Sequence, residues 1–351
     1  MTASGVFLSG VIEGFYGRPW SAGTRRAYAD LLSQAGLNTC IYCPKGDPFL
    51  RKRWQQHWPG DEWRELKRLA AHYRERGLFW GVGLSPFELY RHYTARERKQ
   101  LRRKLDALAD LEAPILAVLF DDMPGDLADL ASRQGEIVED VCGWLPGVRI
   151  LVCPTYYSFD PVLEKHFGHM PEDYWPQLGR ELPAGVDVFW TGNKVCSDSV
   201  SAADIQAIQS RLGRPLLLWD NYPVNDGAVR SNYLYCHPLR DRDPAIETHL
   251  TGHLCNPMNQ GWLSLPALTG LARLYGNDLP ENWLSRALGE ATWESLLGDR
   301  DLFATAGLSG LGESRCAELA RRYEALPGEA AAEVAGWLRG DYRFDPACLT
   351  D

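Results

Sequence analysis

The run Ile115-Leu-Ala-Val-Leu-Phe-Asp121-Asp122 ends an apolar, strand-like stretch in two adjacent carboxylates. Acids at the end of a buried strand are costly unless they are paired or used. Two side by side repel, so one of such a pair holds its proton to higher pH, as a general acid near neutrality must. For any isolated Asp-Asp the plainer reading is a helix-capping Asp beside a salt-bridged neighbour, and other residues must tip the balance. Consecutive strand side chains point to opposite faces, so both acids address one ligand only where the strand twists or breaks at its end. Retaining glycosidases of the usual kind hold two acids about 5 Å apart across the scissile bond, one as nucleophile. Sequence neighbours do not easily straddle a sugar in that way. They suit a substrate-assisted reaction, in which a 2-acetamido oxygen of the sugar is the nucleophile. One carboxylate then orients the amide N–H and the other protonates the leaving oxygen.

Further segments supply what such a sugar needs. Trp219-Asp-Asn221 with Asn225-Asp226 offers a stacking face, an amide and a carboxylate, while Tyr157 and Lys45 offer a hydroxyl and a cation. Taken singly, a buried Trp is more often core and a loop Asn-Asp more often a turn. Their weight comes from falling at the ends of different strands.

Those ends are set by eight strand-length runs: Val6–Gly14, Thr39–Lys45, Phe79–Ser85, Ile115–Asp122, Arg149–Tyr157, Asp187–Val195, Pro215–Tyr222 and Gly252–Asn256. Amphipathic helical runs lie between them, at Ser21–Ala35, Asp61–Arg76, Thr94–Leu111, Ser132–Leu145, Ser201–Leu212 and Leu265–Leu274. Strict alternation implies a parallel sheet, and eight repeats imply an α/β fold closed as a (β/α)8 TIM barrel. An open doubly wound sheet is the alternative, but its edge strands could not bring so many polar strand ends to one crevice. After Gly276 the strand signal stops. Residues 1–276 therefore read as a catalytic barrel and residues 277–351 as a small C-terminal helical extension, with helices at Glu281–Leu297, Glu313–Leu326 and Glu329–Leu338. Packing of this extension on the barrel is preferred to its use in pairing two copies as a homodimer.

A formal net charge of -9 argues against nucleic acid or anionic membrane as a partner. The basic run Arg96, Arg98, Lys99, Arg102, Arg103, Lys104 reads as the solvated face of a helix whose apolar side is Leu101, Leu105, Leu108 and Leu111. The first ten residues lack the basic and apolar regions of an export signal, and no window spans a membrane, so a cytoplasmic setting is expected. Nine scattered cysteines fit a reducing compartment. The close pair Cys40 and Cys43 would face opposite sides of a strand, and the eight histidines show no ligand spacing, so no metal is implied.

With these motifs in order, the chain resembles glycoside hydrolase family 84 over about residues 5 to 275, the family of protein O-GlcNAcases and bacterial β-N-acetylglucosaminidases. Gly10-Val-Ile-Glu-Gly14-Phe-Tyr-Gly-Arg-Pro-Trp20 looks like its first strand, where the resemblance implies that Gly14 lets the backbone approach the sugar. Tyr42-Cys-Pro-Lys45 resembles the segment whose lysine contacts outer sugar hydroxyls. The resemblance assigns Asp121 to orienting the acetamido group and Asp122 to general acid, then base. Cys153-Pro-Thr-Tyr-Tyr157 and Trp190-Thr-Gly-Asn-Lys-Val195 look like segments bordering the acetamido pocket. In Trp219-Asp-Asn221-Tyr-Pro-Val-Asn-Asp226, Trp219 would wall the pocket, Asn221 bond the acetamido group and Asp226 hold the far hydroxyls. Asn256 would join Asp226 there. Cys43, Gly46 and Gly261-Trp262 depart from the family's pattern on the aglycone side.

The resemblance thus implies a retaining exo-β-N-acetylglucosaminidase that works through an oxazoline, with no cofactor and no metal, on an N-acetylglucosamine-bearing glycoside or glycoprotein. Alternatives are an endo-acting glycosaminoglycan hydrolase, a transglycosidase using the same intermediate, and a non-catalytic sugar-binding module.

Overall fold

A computed structural model describes residues 3–342 and 344–350. Eight strands close a barrel in chain order: β1 Leu8–Glu13, β2 Thr39–Tyr42, β3 Phe79–Leu84, β4 Ile115–Leu119, β5 Arg149–Cys153, β6 Asp187–Trp190, β7 Leu216–Asp220 and β8 Leu250–Cys255. All neighbours are parallel, and closure pairs Leu8 with Gly252 through Val11 with Cys255. Every strand residue except Thr251 is buried. Strands covered on both faces explain why the sequence shows continuous apolar runs instead of alternation.

All eight predicted strands exist, but several were drawn too long. β2 stops at Tyr42, short of Lys45; β4 at Leu119, short of Asp121; β5 at Cys153, short of Tyr157; β6 at Trp190, short of Val195. These overruns are the segments that leave the sheet at the C-terminal face, where barrel active sites are built.

The helices around the barrel are α1 Ala22–Gln34, α2 Gly60–Glu75, α3 Ala95–Ala109, α4 Leu130–Trp144, α5 Val162–Phe167, α6 Tyr174–Glu181, α7 Ala202–Leu212 and α8 Leu265–Leu274. Between β5 and β6, α5 and α6 were not anticipated. α7 carries both halves of a capping box, Ser201 with Asp204, and stops at Gly213 with φ of 70°.

One expectation for α3 fails. Lys104 is not on its solvated face: it is 3% exposed, its ammonium donates to the Gln56 carbonyl (2.9 Å), and it lies 3.7 Å from the centre of the Trp58 ring. Helical spacing put it beside Leu101 and Leu105, and its long stem crosses apolar surface to reach that carbonyl.

At the N-terminal face, the first residues of β5 and β6 form a buried ion pair, Arg149 Nε to Asp187 Oδ2 at 2.7 Å. Arg149 also donates to the carbonyls of Ala3 and Val6, lacing the chain's start across the barrel floor.

Beyond the barrel come α9 Trp283–Leu288, α10 Glu290–Thr305, α11 Gly307–Glu324 and α12 Glu329–Leu338. The single helix expected over Glu281–Leu297 is broken at Gly289, whose φ of 87° no helix accommodates. Leu296, Phe303, Tyr323 and Trp337 are continuous with the barrel's apolar core. Polar contacts tie the same helices down: Trp283 Nε1 donates to Gln34 of α1 (3.2 Å), Trp337 Nε1 to the Ser231 carbonyl (3.1 Å), and Glu333 accepts from the Leu263 N–H (3.0 Å). Among the described residues no helix is long and apolar enough to cross a membrane.

Candidate active site

The backbone beyond β4 resolves the difficulty that consecutive strand residues face apart. Phe120 N–H still bonds the Cys153 carbonyl (2.9 Å), but Asp122 adopts a left-handed conformation with φ of 54°. Asp is among the few side chains that tolerate this region, and the turn brings both carboxylates to the barrel mouth. Arg51, from the loop after β2, holds the turn. It is 5% exposed and donates to the Asp122 carbonyl (2.8 Å), to Ser85 Oγ (2.7 Å) and, more weakly, to the Asp121 carbonyl (3.4 Å).

The two acids sit in different surroundings. Asp121 is buried, and its Oδ2 forms an ion pair with the buried Lys45 ammonium. Burial alone would lower Lys45, yet the facing Asp121 charge leaves it above the usual lysine range. Asp121 Oδ1 is also buried and has no hydrogen-bond partner among the described residues. A carboxylate oxygen held so, beside a cation on its twin, is set to accept one N–H from a ligand. Asp122 is half-buried and stands between two phenols: Tyr16 OH donates to Oδ2 and Tyr157 OH to Oδ1, each at 2.8 Å. Burial, then the neighbouring Asp122 charge, raises both tyrosines well above their ordinary range, so both remain donors.

The opposite wall is an amide network across four strand ends. Trp219 Nε1 donates to Asn221 Oδ1 (3.0 Å), Asn221 Nδ2 to the Val195 carbonyl (2.8 Å), and Asn256 Nδ2 to Asn221 Oδ1 (2.9 Å). Asn256 Oδ1 in turn accepts from Gly14 N–H (3.2 Å). Asp226 Oδ2 accepts from Tyr16 N–H (2.7 Å). All ten residues singled out from the sequence, Gly14, Lys45, Asp121, Asp122, Tyr157, Val195, Trp219, Asn221, Asp226 and Asn256, line one cavity.

Sequence reasoning missed Tyr16, although the Gly14-Phe-Tyr-Gly segment was in view and a tyrosine just past a strand end was the available signal. Arg51 carried no signal, since it lies in an ordinary polar loop. Asp220, flanked by Trp219 and Asn221, points the other way: Arg242 grips it with two hydrogen bonds (2.7 and 2.8 Å) and His253 Nε2 lies 2.9 Å away. Burial would raise this acid, but the Arg242 hydrogen bonds and charge, with His253, bring it down to about 2. It braces β7 against β8 behind the site. Among the described residues no three His, Cys, Asp or Glu side chains converge as a metal site would require.

A family model described as beta-N-acetylglucosaminidase matches residues 9–298. The chain is similar to the protein O-GlcNAcases of Mus musculus and Rattus norvegicus, each 29% identical over 282 residues. That match covers 78% of this chain and 30% of each relative, so the chain spans under a third of their length. A solved structure, an O-GlcNAc hydrolase mutant from Thermobaculum terrenum, superposes with a TM-score of 0.78 at 27% identity, covering 95% of this chain and 81% of that one.

Proposed function

The chain belongs to the β-N-acetylglucosaminidase family, and from that membership and the site geometry we propose that it releases a terminal β-linked N-acetylglucosamine from a glycoside or glycoprotein, with retention at the anomeric carbon. The acetamide oxygen of the bound sugar attacks the anomeric carbon as the bond to the leaving oxygen breaks. Asp121 Oδ1 accepts the amide N–H and so strengthens the nucleophile, while Lys45 holds the other oxygen of that carboxylate. Asp122 gives its proton to the leaving oxygen, a contribution of about 10²- to 10⁴-fold for a well-placed acid. Water then opens the oxazoline and returns a proton to Asp122. No protein nucleophile takes part.

The observation that carries this reading is the buried Oδ1 of Asp121, without a hydrogen-bond partner among the described residues, next to an Asp122 held between two phenols. Convergence of the ten residues on one cavity supports exo action over a groove open at both ends. We place the catalytic barrel at residues 1–276 and the helical extension at 277–351. The bonds of Glu333 and Trp337 to barrel loops support a role for the extension in holding those loops.

The test is hydrolysis of 4-nitrophenyl β-N-acetylglucosaminide by the purified chain beside an Asp121→Asn, Asp122→Asn double variant, with the first-formed anomer read by NMR. Loss of activity in the variant and β-anomer first are expected. An inactive parent chain, or α-anomer first, overturns the proposal.

A further inference from the structure

Cys348 and Thr350 line the sugar cavity from the C-terminal segment and belong to none of the strand ends. After α12 the chain passes Tyr342, whose ring lies 5.1 Å from the Arg18 guanidinium on the loop that also carries Tyr16. It then bends at Asp345, whose Oδ1 accepts from Ala347 N–H and whose carbonyl accepts from Cys348 N–H, both at 2.9 Å. That turn directs Cys348 and Thr350 into the cavity. Cys348 Sγ lies 3.8 Å from Asp226 Oδ1, and the Thr350 side chain lies against the Tyr157 hydroxyl. These are the carboxylate read as the anchor of the sugar's far hydroxyls and the phenol that bonds Asp122.

The segment lies at the surface, with none of residues 344–350 fully buried. Its large apolar side chains remain exposed, Phe344 at 44% and Leu349 at 46%, so it lacks the stabilisation that burying each would contribute. The cavity that Cys348 and Thr350 help to line has a volume of about 40 Å³. That is room for roughly three waters.

Resting on the reading of this cavity as the sugar site, we propose that residues 344–350 are an intrasteric strap that competes with the sugar for Asp226 and Tyr157 and must swing out before substrate enters. Such a competitor lowers the fraction of binding-competent molecules and raises apparent KM by its inverse without slowing chemistry. A strap in place nine-tenths of the time costs about tenfold in KM.

The experiment compares the full chain, a chain shortened after Tyr342, and full-length Thr350→Ala, using two readouts. The first is kcat and KM on 4-nitrophenyl β-N-acetylglucosaminide. KM should fall about threefold or more on shortening, with kcat held within about twofold. Unchanged KM, or a higher KM with lower kcat as for a segment that helps bind sugar, overturns the strap while leaving the hydrolase reading intact. The second readout needs no catalysis: the rate of iodoacetamide labelling at Cys348, followed by peptide mass spectrometry. It should rise severalfold in Thr350→Ala, and equal rates overturn the strap. Absence of hydrolysis in every form with the labelling difference intact overturns the hydrolase reading and leaves the strap standing.

Discussion

The Trp219 indole lies directly on Gly14: a methyl group built on that glycine would stand 2.2 Å from Cζ2 of the ring. The family resemblance assigned Gly14 to letting the backbone approach the sugar. The structure adds that the pocket wall itself requires a residue without a side chain there. Gly14→Ala must push the indole aside, at about 1–3 kcal/mol for overpacking, and should raise KM well before it unfolds the chain. Gly14→Ala with Trp219→Phe should bind better than Gly14→Ala alone, because the smaller ring relieves the clash. Equal KM values for the single and double variants would show that the contact does not set the wall.

Asp122→Asn removes proton donation and leaves the acetamide free to attack. Glycosides with poor leaving groups should lose about 10²- to 10⁴-fold in turnover, while those with dinitrophenolate-like leaving groups lose far less. Asp121→Asn should slow both classes alike, since it acts on the nucleophile. Measured rates across a leaving-group series check this, and parallel losses for the two variants would sink the division of roles.

Tyr16 links the two ends of the site, its N–H to Asp226 and its hydroxyl to Asp122. Tyr16→Phe deletes only the second bond. A hydrogen bond to a charged group contributes about 1.5–3 kcal/mol, so a fall in kcat of roughly 10- to 100-fold is expected with KM little changed. A rise in KM at constant kcat would mean that the phenol positions substrate and not Asp122.

The Asp220 brace has a pH signature. Its pKa in the folded chain, about 2, lies below the ordinary 3.8, so its stabilisation is fully present above the ordinary value and is lost as pH falls through about 2. The pH-dependent part is roughly 2 kcal/mol. Asp220→Asn should therefore destabilise strongly at pH 7 by leaving Arg242 buried without its partner, and its deficit should shrink as acid is added below pH 4. Urea midpoints of both chains over pH 7 to 3 test this; a constant deficit would remove the electrostatic account.

Glu333 behaves oppositely. Burial pushes its carboxyl up to about 8, against the pull of the Leu263, Trp262 and Gly261 backbone N–H groups. Between the ordinary value of 4.5 and about 8 the folded chain holds a proton that the unfolded chain has released, so stability declines as pH rises through that window. Glu333→Gln keeps an oxygen for Leu263 and removes the titration. Its Tm relative to the parent should be higher at pH 8.5 than at pH 5.5, and parallel Tm curves would overturn the assignment.

The sequence alone determined the barrel. Strands buried on both faces must be written as continuous apolar runs, and eight of them alternating with capped amphipathic helices leave little else to build. It also exposed Asp121 and Asp122, because acids closing such a run are costly unless paired or used, and the polar residues at the other strand ends tip the balance away from a capping role. Tertiary structure decided where each strand ends: the ladder stops when the partner strand stops, and Lys45, Tyr157 and Val195 look locally like further strand. It decided as well that Asp220 serves the scaffold while its neighbours Trp219 and Asn221 face the cavity, that Tyr16 and Arg51 belong to the site, that Lys104 is buried, and that residues 344–350 return to the mouth of the barrel. Each of these rests on a contact between residues far apart in the chain. Local propensity and periodicity report the conformation of a segment, and carry no record of what the closed barrel later brings against it.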